Sequence, residues 1–284
     1  MDPLPIDLHA HTSVSDGTET PTQLVRAALE AGIGTIALTD HDSTAGWEEA
    51  RGAAAGAGVV VIPGMELSTN WGPASVHMLA YLFDPSDGDI VTETARIRDG
   101  RLHRAELIVN RIAEDYALTW DDVLAQSIDG GTIGRPHIAD ALVARGHVVN
   151  RSAAFESILH WRSGYYEKYY APSPLRGVEM IVNAGGVAVL AHPATHGRDR
   201  MIDEDNMRIL ADAGLFGLEV HHRDNTDDGK LRLLEFAAQF GLEITGSSDY
   251  HGEGKPNRLG ENTTSPAVLE KLVARATGSA PFVG

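Results

Sequence analysis

The stretch Ile6-Asp7-Leu8-His9-Ala10-His11-Thr12-Ser13-Val14-Ser15-Asp16-Gly17 decides how the rest of the chain is read. A short apolar run ends in a His-x-His pair, and a carboxylate follows five residues after the second histidine. Alternate side chains on a strand point to the same face. His9 and His11 can therefore aim at one point, with Asp16 returning from the loop that follows. Two imidazoles and a carboxylate around one point suit a divalent transition metal. Taken alone, the spacing fits two unrelated histidines beside a turn equally well. The remaining sequence decides between them.

The chain has 284 residues, 43% of them hydrophobic, enough for one large core or for one domain carrying an insert. No apolar run approaches transmembrane length. The start, Met1-Asp2-Pro3-Leu4-Pro5, lacks the basic opening and apolar segment of a secretory signal. The expectation is a cytoplasmic protein without a membrane partner. No cysteine is present, which excludes disulfides and thiolate ligands. The formal net charge of -17 opposes binding to long duplex nucleic acid, where phosphate neutralisation supplies most of the affinity. A small phosphorylated substrate remains open, because bound divalent cations reverse the local field. Thirteen histidines beside no cysteine point to metal sites built from nitrogen and oxygen.

One pattern recurs along the chain: an apolar β-prone run, a polar ending, then a helical stretch. The first strand ends at His9 and His11, and a helix capped by Thr20, with Pro21 at its first position, runs to Gly32. The strand Thr35 to Leu38 ends in Thr39-Asp40-His41-Asp42, and a helix follows from Trp47 to Gly56. The strand Val59 to Ile62 ends in Pro63-Gly64-Met65-Glu66. The next, Val76 to Leu82, carries His77 near its start and pairs most simply with its predecessor. Three later strands end in His192-Pro193, His221-His222 and Ser248-Asp249-Tyr250-His251. Between them, residues 84–172 read as all helical, with Ile97, Leu102, Ile108 and Ile112 on one apolar stripe.

Strands alternating with helices predict a mostly parallel sheet with right-handed crossovers. In a (β/α) barrel the active site lies at the C-terminal ends of the strands, where these His, Asp and Glu residues gather. About seven strands are countable, one fewer than in the standard barrel. The expected fold is α/β, a distorted (β/α)7 barrel formed by residues 1–83 and 173–284. Residues 84–172 form a helical insert domain covering the active site.

Four segments, Asp7-Leu8-His9-Ala10-His11, Thr39-Asp40-His41-Asp42, Ala191-His192-Pro193 and Ser248-Asp249-Tyr250-His251, resemble the four motifs of the PHP (polymerase and histidinol phosphatase) family. Their order and spread match across nearly the whole chain. Ser15-Asp16-Gly17 and the insert resemble the branch of metal-dependent phosphoesterases that act on nucleotides. The resemblance implies a seven-stranded barrel and two or three divalent metal ions. By position, it implies one site of His9, His11, Glu66 and Asp249. A second shares Glu66 and adds His77 and His192, and a third takes Asp16, His41 and His251. Many relatives have a histidine where this chain has Asp16.

The chemistry supports the same assignment independently. A phosphate ester repels anionic nucleophiles; clustered cations neutralise its oxygens, acidify a bridging water and stabilise the leaving oxygen. A bridging carboxylate such as Glu66 holds two metals at the required separation, and the expected nucleophile is the bridging hydroxide. Imidazole and carboxylate ligands without thiolate fit Mn, Fe or Zn better than Mg alone.

Other residues are read beside their plain alternatives. Asp40 either orients an imidazole or is a helix cap or loop carboxylate, and Asp42, before Ser43-Thr44, reads as a cap. Arg135, in Gly134-Arg135-Pro136-His137, can grip phosphate where a helix of the insert starts, as an arginine does in the nucleotide-acting relatives; otherwise it is a surface cation. His137 is a weaker phosphate candidate. His222 ends a strand at the catalytic face and can bind phosphate or protonate the leaving group, whereas His221 falls on the opposite face. Arg198 and Arg223 are loop cations near the face, or only surface charges. Trp71 stacks on a base or covers the insert. The tyrosines of residues 165–170 pack the insert against the barrel, and His103, His147 and His160 lack ligand spacing.

The reading that follows is a metal-dependent phosphoesterase. It hydrolyses a nucleoside 3′,5′-bisphosphate to the 5′-monophosphate and phosphate, or trims the 5′ end of a short RNA. Glu66, His222 and Arg135 carry the catalysis. The competing readings are a histidinol-phosphate phosphatase, an amidohydrolase cleaving a C–N bond, and a noncatalytic metal-stabilised module.

Overall fold

The computed structural model describes residues 3–72, 74–128, 130–195 and 203–283. Strand β1 (Ile6–Asp7), helix α1 (Pro21–Glu30), β2 (Thr35–Leu38), α2 (Trp47–Ala54), β3 (Val60–Trp71) and β4 (Ala74–Tyr81) come first. Among the described residues four helices then follow without a strand: α3 (Gly88–Ile112), α4 (Trp120–Leu124), α5 (Arg135–Ala144) and α6 (Arg151–Glu156). The alternation then resumes through α7 (Pro174–Asn183), β5 (Val187–Ala191), α8 (Glu204–Asp212), β6 (Gly217–His221), α9 (Asp227–Phe240), β7 (Glu243–Gly246) and α10 (Pro266–Arg275). No helix among the described residues is long and apolar enough to cross a membrane.

The caps follow from local chemistry. Thr20 Oγ1 accepts the Gln23 N–H and the Gln23 side chain accepts the Thr20 N–H, a reciprocal box that starts α1. Ser173, Thr226 and Ser265 accept in the same way at the starts of α7, α9 and α10. Gly241 ends α9 at φ +66, a left-handed position that favours glycine.

The seven strands form one sheet in sequence order. β4 is antiparallel to both β3 and β5, and the other neighbouring strands run parallel. Beyond β1, Ala10 bridges Tyr250 in parallel; the His11 N–H donates to Tyr250 O at 2.8 Å and the Tyr250 N–H to His9 O at 3.3 Å. These bonds bring the two edges together, so the sheet is a nearly closed barrel of the distorted (β/α)7 kind expected. Strand alternation separates two apolar layers. Leu79, Tyr81, Val187 and Val189 join Ile6, Leu8 and Leu272 of α10 in one. Met78, Ala80, Ala188 and Leu190 turn the other way, against Leu24, Trp47 and Val178 of the surrounding helices. The downward run of β4 explains its histidine: His77 lies early in the strand, opposite Ser68 and Ala191.

Residues 84–172 carry a third apolar cluster, including Ile108, Ile112, Val123, Ile138 and Leu142. Leu102 does not join it; it is 38% exposed. Arg101 and Arg104 take the inward positions of α3 beside it, so the buried stripe reads Ile97, Arg101, Arg104, Ala105, Ile108 and Ile112. Helix α3 ends at Ile112, with Ala113 as its cap. This segment touches the loops at the strand ends: the Thr132 N–H donates to Val14 O, and Arg151 donates to Asp16 O, both at 2.9 Å. The Asn70 side chain donates to Tyr169 O, and Tyr169 packs on the barrel core.

Candidate metal centre

Each strand, at its ending or within it, delivers a ligand-type side chain to one place. His9, His11 and Asp16 follow β1, His41 follows β2, Glu66 lies in β3 and His77 in β4. His192 follows β5, His222 follows β6, and Asp249 and His251 follow β7. His192 (φ 29) and Asp249 (φ 55) sit in the left-handed region, which costs a non-glycine residue about 1–3 kcal/mol and persists where surroundings enforce it.

Glu66 is the hub. Its Oε2 lies 3.3 Å from His9 Nε2, 3.1 Å from His11 Nε2 and 3.2 Å from His41 Nδ1. Its Oε1 lies 2.6 Å from His77 Nδ1 and 3.1 Å from His192 Nε2. Asp249 Oδ1 is 3.5 Å from His9 Nε2 and 3.4 Å from His11 Nε2. Asp16 lies 3.3 Å from His251 Nε2 and 3.7 Å from His41 Nε2. All nine residues expected as ligands converge here. Donor atoms of His9, His11, Glu66 and Asp249 lie within 4.8 Å of one another, as do those of His11, Asp16 and His41, and of His41, Glu66 and His77. His41 Nδ1 and His251 Nε2 are buried and face carboxylate oxygens at 3.2 and 3.3 Å without forming a hydrogen bond. Orphaned buried imidazole nitrogens are costly, and a cation satisfies them. The donor set therefore fits divalent metal ions.

Around these residues lies a layer the sequence did not reveal. Glu219, fully buried in β6, places Oε1 3.0 Å from His9 Nδ1, while its Oε2 accepts the His192 N–H at 2.7 Å. The available signal was a carboxylate inside an apolar strand, Gly217-Leu218-Glu219-Val220, where charged residues are rare unless paired. Asp40 accepts from Thr12 N–H (2.8 Å), Thr12 Oγ1 (2.6 Å) and Ser15 Oγ (2.6 Å), and Ser15 Oγ lies 3.3 Å from His11 Nδ1. It thus orients an imidazole through a serine and caps no helix. Asp42 is not a cap either. It accepts the Ser68 N–H and Oγ–H, both at 2.7 Å, and pairs with Arg101 Nε at 2.8 Å.

Charge separates sharply in this cluster. Burial alone would raise the Glu66 carboxyl, but the His77, His41 and His9 imidazoles outweigh it and hold it well below the usual range. Asp249 is likewise held low against burial, by Lys255, His251 and His9. Burial pulls His11 down, yet its bonds to Asp249 and Glu66 raise it to about 9. His251 goes the other way, lowered to about 4 by burial and then by Lys255.

A pocket of about 590 Å³ opens on the cluster, and its lining includes His41, Glu66, His77, His192, Arg223, Asn225, Asp249 and Lys255. His222 is fully buried; its Nδ1 accepts the Asp224 N–H at 3.1 Å, and its Nε2 lies 3.5 Å from Asp249 Oδ2. His221 is exposed. Arg135 lies outside this pocket's lining, at the start of α5, with its guanidinium 5.2 Å from the Phe155 ring and 5.5 Å from the Tyr166 ring. Near it, Arg104 is 5% exposed, stands 4.2 Å over the Tyr169 ring and has a buried Nε without a hydrogen-bond partner. Burial presses Arg104 down to about 9; Tyr169 opposes this, and Arg101 and Arg135 add to it. His137 Nδ1 accepts the Gly134 N–H at 3.1 Å, closing the first turn of α5. Trp71 is half-buried against the barrel core. Arg198 lies outside the described residues.

The PHP domain profile matches residues 7–128. A 3′,5′-nucleoside bisphosphate phosphatase of Chromobacterium violaceum is 34% identical over 270 residues, covering 94% of each chain. A 5′-3′ exoribonuclease of Haemophilus influenzae is 32% identical over 260 residues, covering 90% of this chain and 93% of its own. A structure from Bifidobacterium adolescentis, described as a candidate metal-dependent phosphoesterase, superposes with a TM-score of 0.93 at 43% identity, over 95% of this chain and 96% of that one.

Proposed function

The chain belongs to the PHP family and is a metal-dependent hydrolase of nucleotide phosphate esters, and from that premise we propose its substrate and the parts its residues play. It converts a nucleoside 3′,5′-bisphosphate to the 5′-monophosphate and phosphate, and the same chemistry trims the 5′ end of a short RNA. The observation that carries this reading is Glu66, a buried carboxylate whose two oxygens face five imidazole nitrogens between them.

His9, His11, Asp16, His41, Glu66, His77, His192, Asp249 and His251 would hold two or three divalent cations of the Mn, Fe or Zn type, which would supply neutralisation of phosphoryl charge and a more acidic water. The protein's own groups do the rest. Asp249, Glu66 and Asp16 stay ionised against burial and keep the ligand set charged. His222 receives an N–H at Nδ1, so its neutral ring carries the proton on Nε2. Burial opposes its protonated form, but Glu219 and Asp249 raise its pKa, which suits a donor to the leaving ester oxygen. As water adds to phosphorus and the P–O ester bond breaks, that oxygen takes the His222 proton.

Arg135, with Arg104 beside it, receives the phosphate that is not cleaved. The unpartnered Arg104 Nε supports this role, because a buried guanidinium edge lacks the acceptor that a phosphate oxygen supplies. The helical segment of residues 84–172 acts as a roof that limits substrate size, supported by its bonds to Val14 and Asp16.

The test is product release from adenosine 3′,5′-bisphosphate, AMP, histidinol phosphate and a 5′-phosphorylated short RNA with Mn-loaded protein. Release of 3′-phosphate from the bisphosphate, or of 5′-mononucleotides from the RNA, is expected. Preference for histidinol phosphate, or inactivity on all four with metals confirmed bound, overturns the reading.

A further inference from the structure

Asp249 divides its two oxygens between different neighbours. Oδ1 faces the ligand nitrogens of His9 and His11. Oδ2 faces Lys255 Nζ at 2.6 Å and His222 Nε2 at 3.5 Å. The His222 Nε2 atom is buried and has no hydrogen-bond partner, and Lys255 lines the pocket with a side chain 36% exposed. Two nitrogen donors therefore meet at one oxygen on the edge of the carboxylate–imidazole cluster, and one of them is open to a bound molecule.

The segment that carries Lys255 is fastened down. Asn257 Nδ2 donates to Ser248 O at 2.7 Å, and Arg223 reaches Asn257 Oδ1 at 3.4 Å and Glu261 at 3.3 Å. Arg223, the other cation lining the pocket among the described residues, thus already has an acidic partner in this loop. An ammonium group has three donors. One is used on Asp249 Oδ2, which leaves two for an incoming acceptor.

Building on the phosphoesterase reading above, we propose that Lys255 is a catalytic residue that contacts the phosphoryl group and makes the site favour terminal phosphates over internal diesters. A phosphate monoester presents three non-bridging oxygens and up to two negative charges. A diester presents two such oxygens and one charge. With two oxygens turned to the cluster around Glu66, the monoester still has a charged one for Lys255. In the diester an esterified oxygen stands there, a far poorer acceptor. Lys255 therefore contributes to the first reaction and little to the second.

The experiment uses the full chain loaded with Mn and the variants Lys255→Gln and Lys255→Arg. It measures kcat and KM on adenosine 3′,5′-bisphosphate and on a 5′-phosphorylated short RNA, metal content, and binding of inorganic phosphate by calorimetry. For Lys255→Gln, kcat/KM on the bisphosphate is expected to fall on the order of 10²-fold, as when a donor to a developing oxyanion is removed. RNA cleavage falls far less, metal content holds, phosphate binding weakens, and Lys255→Arg recovers part of the loss. Equal losses on the two substrates, no loss on either, or loss of bound metal with activity overturns the proposal, leaving Lys255 as a partner of Asp249 alone. A wild-type protein that cleaves neither substrate defeats the phosphoesterase reading instead. Phosphate binding then decides whether Lys255 meets a phosphoryl group: weakening by Lys255→Gln supports that contact, and no change rejects it.

Discussion

Glu219 Oε1 lies 3.0 Å from His9 Nδ1, and the other oxygen of the same carboxylate accepts the His192 N–H at 2.7 Å. One buried side chain thereby sets two residues of the cluster. Acceptance at Nδ1 puts the His9 hydrogen there and turns a bare Nε2 toward Glu66 and Asp249. Glu219→Gln keeps the shape but can accept in only one direction. Either its NH2 group faces His9 and drives the hydrogen to Nε2, or it faces the His192 N–H, donor to donor. The expected result is a loss of metal affinity of about 10–100-fold with the fold retained. Metal titration alongside circular dichroism measures both, and wild-type affinity would rule the role out.

Glu66→Ala removes the carboxylate that faces five imidazoles. Bound metal and turnover should disappear together. Elemental analysis of the purified variant gives the first and phosphate release the second. Retention of full metal content would mean Glu66 is no hub.

Arg135→Ala should separate binding of the uncleaved phosphate from the metals. Metal content stays at the wild-type level, while kcat/KM on a nucleoside bisphosphate falls by about tenfold or more, the loss of one charge-assisted phosphate contact. A variant indistinguishable from wild type would remove Arg135 from the phosphate site.

The His11 imidazole, raised to about 9 against burial by its bonds to Asp249 and Glu66, carries a proton at neutral pH when no metal is bound. A ligand nitrogen must give that proton up. Metal binding at pH 7.5 should therefore release protons, and apparent affinity should climb as pH rises toward 9. In the metal-free protein the sign is opposite for stability. The raised pKa contributes fully below the unfolded value of 6.5 and is lost as pH rises through about 9. Calorimetry in buffers of different ionisation enthalpy reads the proton count; a count of zero at pH 7.5 contradicts the assignment.

The buried pair of Asp42 and Arg101 joins the loop after β2 to helix α3. Arg101→Met leaves Asp42 with its two bonds from Ser68. Asp42→Ala leaves a buried guanidinium with its bond to Ser68 Oγ but no counter-charge, a change that costs about 3–5 kcal/mol in comparable sites. Denaturant unfolding should rank Asp42→Ala as the more damaging. The reverse order would show that Arg101 contributes through packing rather than charge.

The strand endings were legible because chemistry and topology coincide there. His9, His11, His41, His192 and Asp249 each follow a β-prone run, and the barrel gathers such positions on one face. Reading β3 to Ile62 missed how far it extends, to Trp71, because the alternation was masked by residues buried on both sides. Asp42 looked like a cap because local sequence cannot show Ser68 and Arg101 arriving from elsewhere. Glu219 and Lys255 were invisible for the same reason: their meaning lies in partners 210 and 6 residues away, set by tertiary contact. Leu102 misled because an amphipathic pattern counts arginines as solvent-facing, and α3 buries two of them.

Strand β4 runs against its neighbours, so the chain leaves it at the end of the barrel remote from the pocket, and α3 must climb back. A helix advances about 1.5 Å and turns about 100° with each residue. Arg98 and Arg101, one turn apart, both reach Asp42, and Arg104 follows one turn later. Adding or removing a single residue before Arg98 would swing all three away from the barrel while changing the height by little. Only changes of about a whole turn keep them facing inward. Length changes between β4 and Arg98 that keep the Asp42 contacts should therefore come in steps of three or four residues, not of one or two.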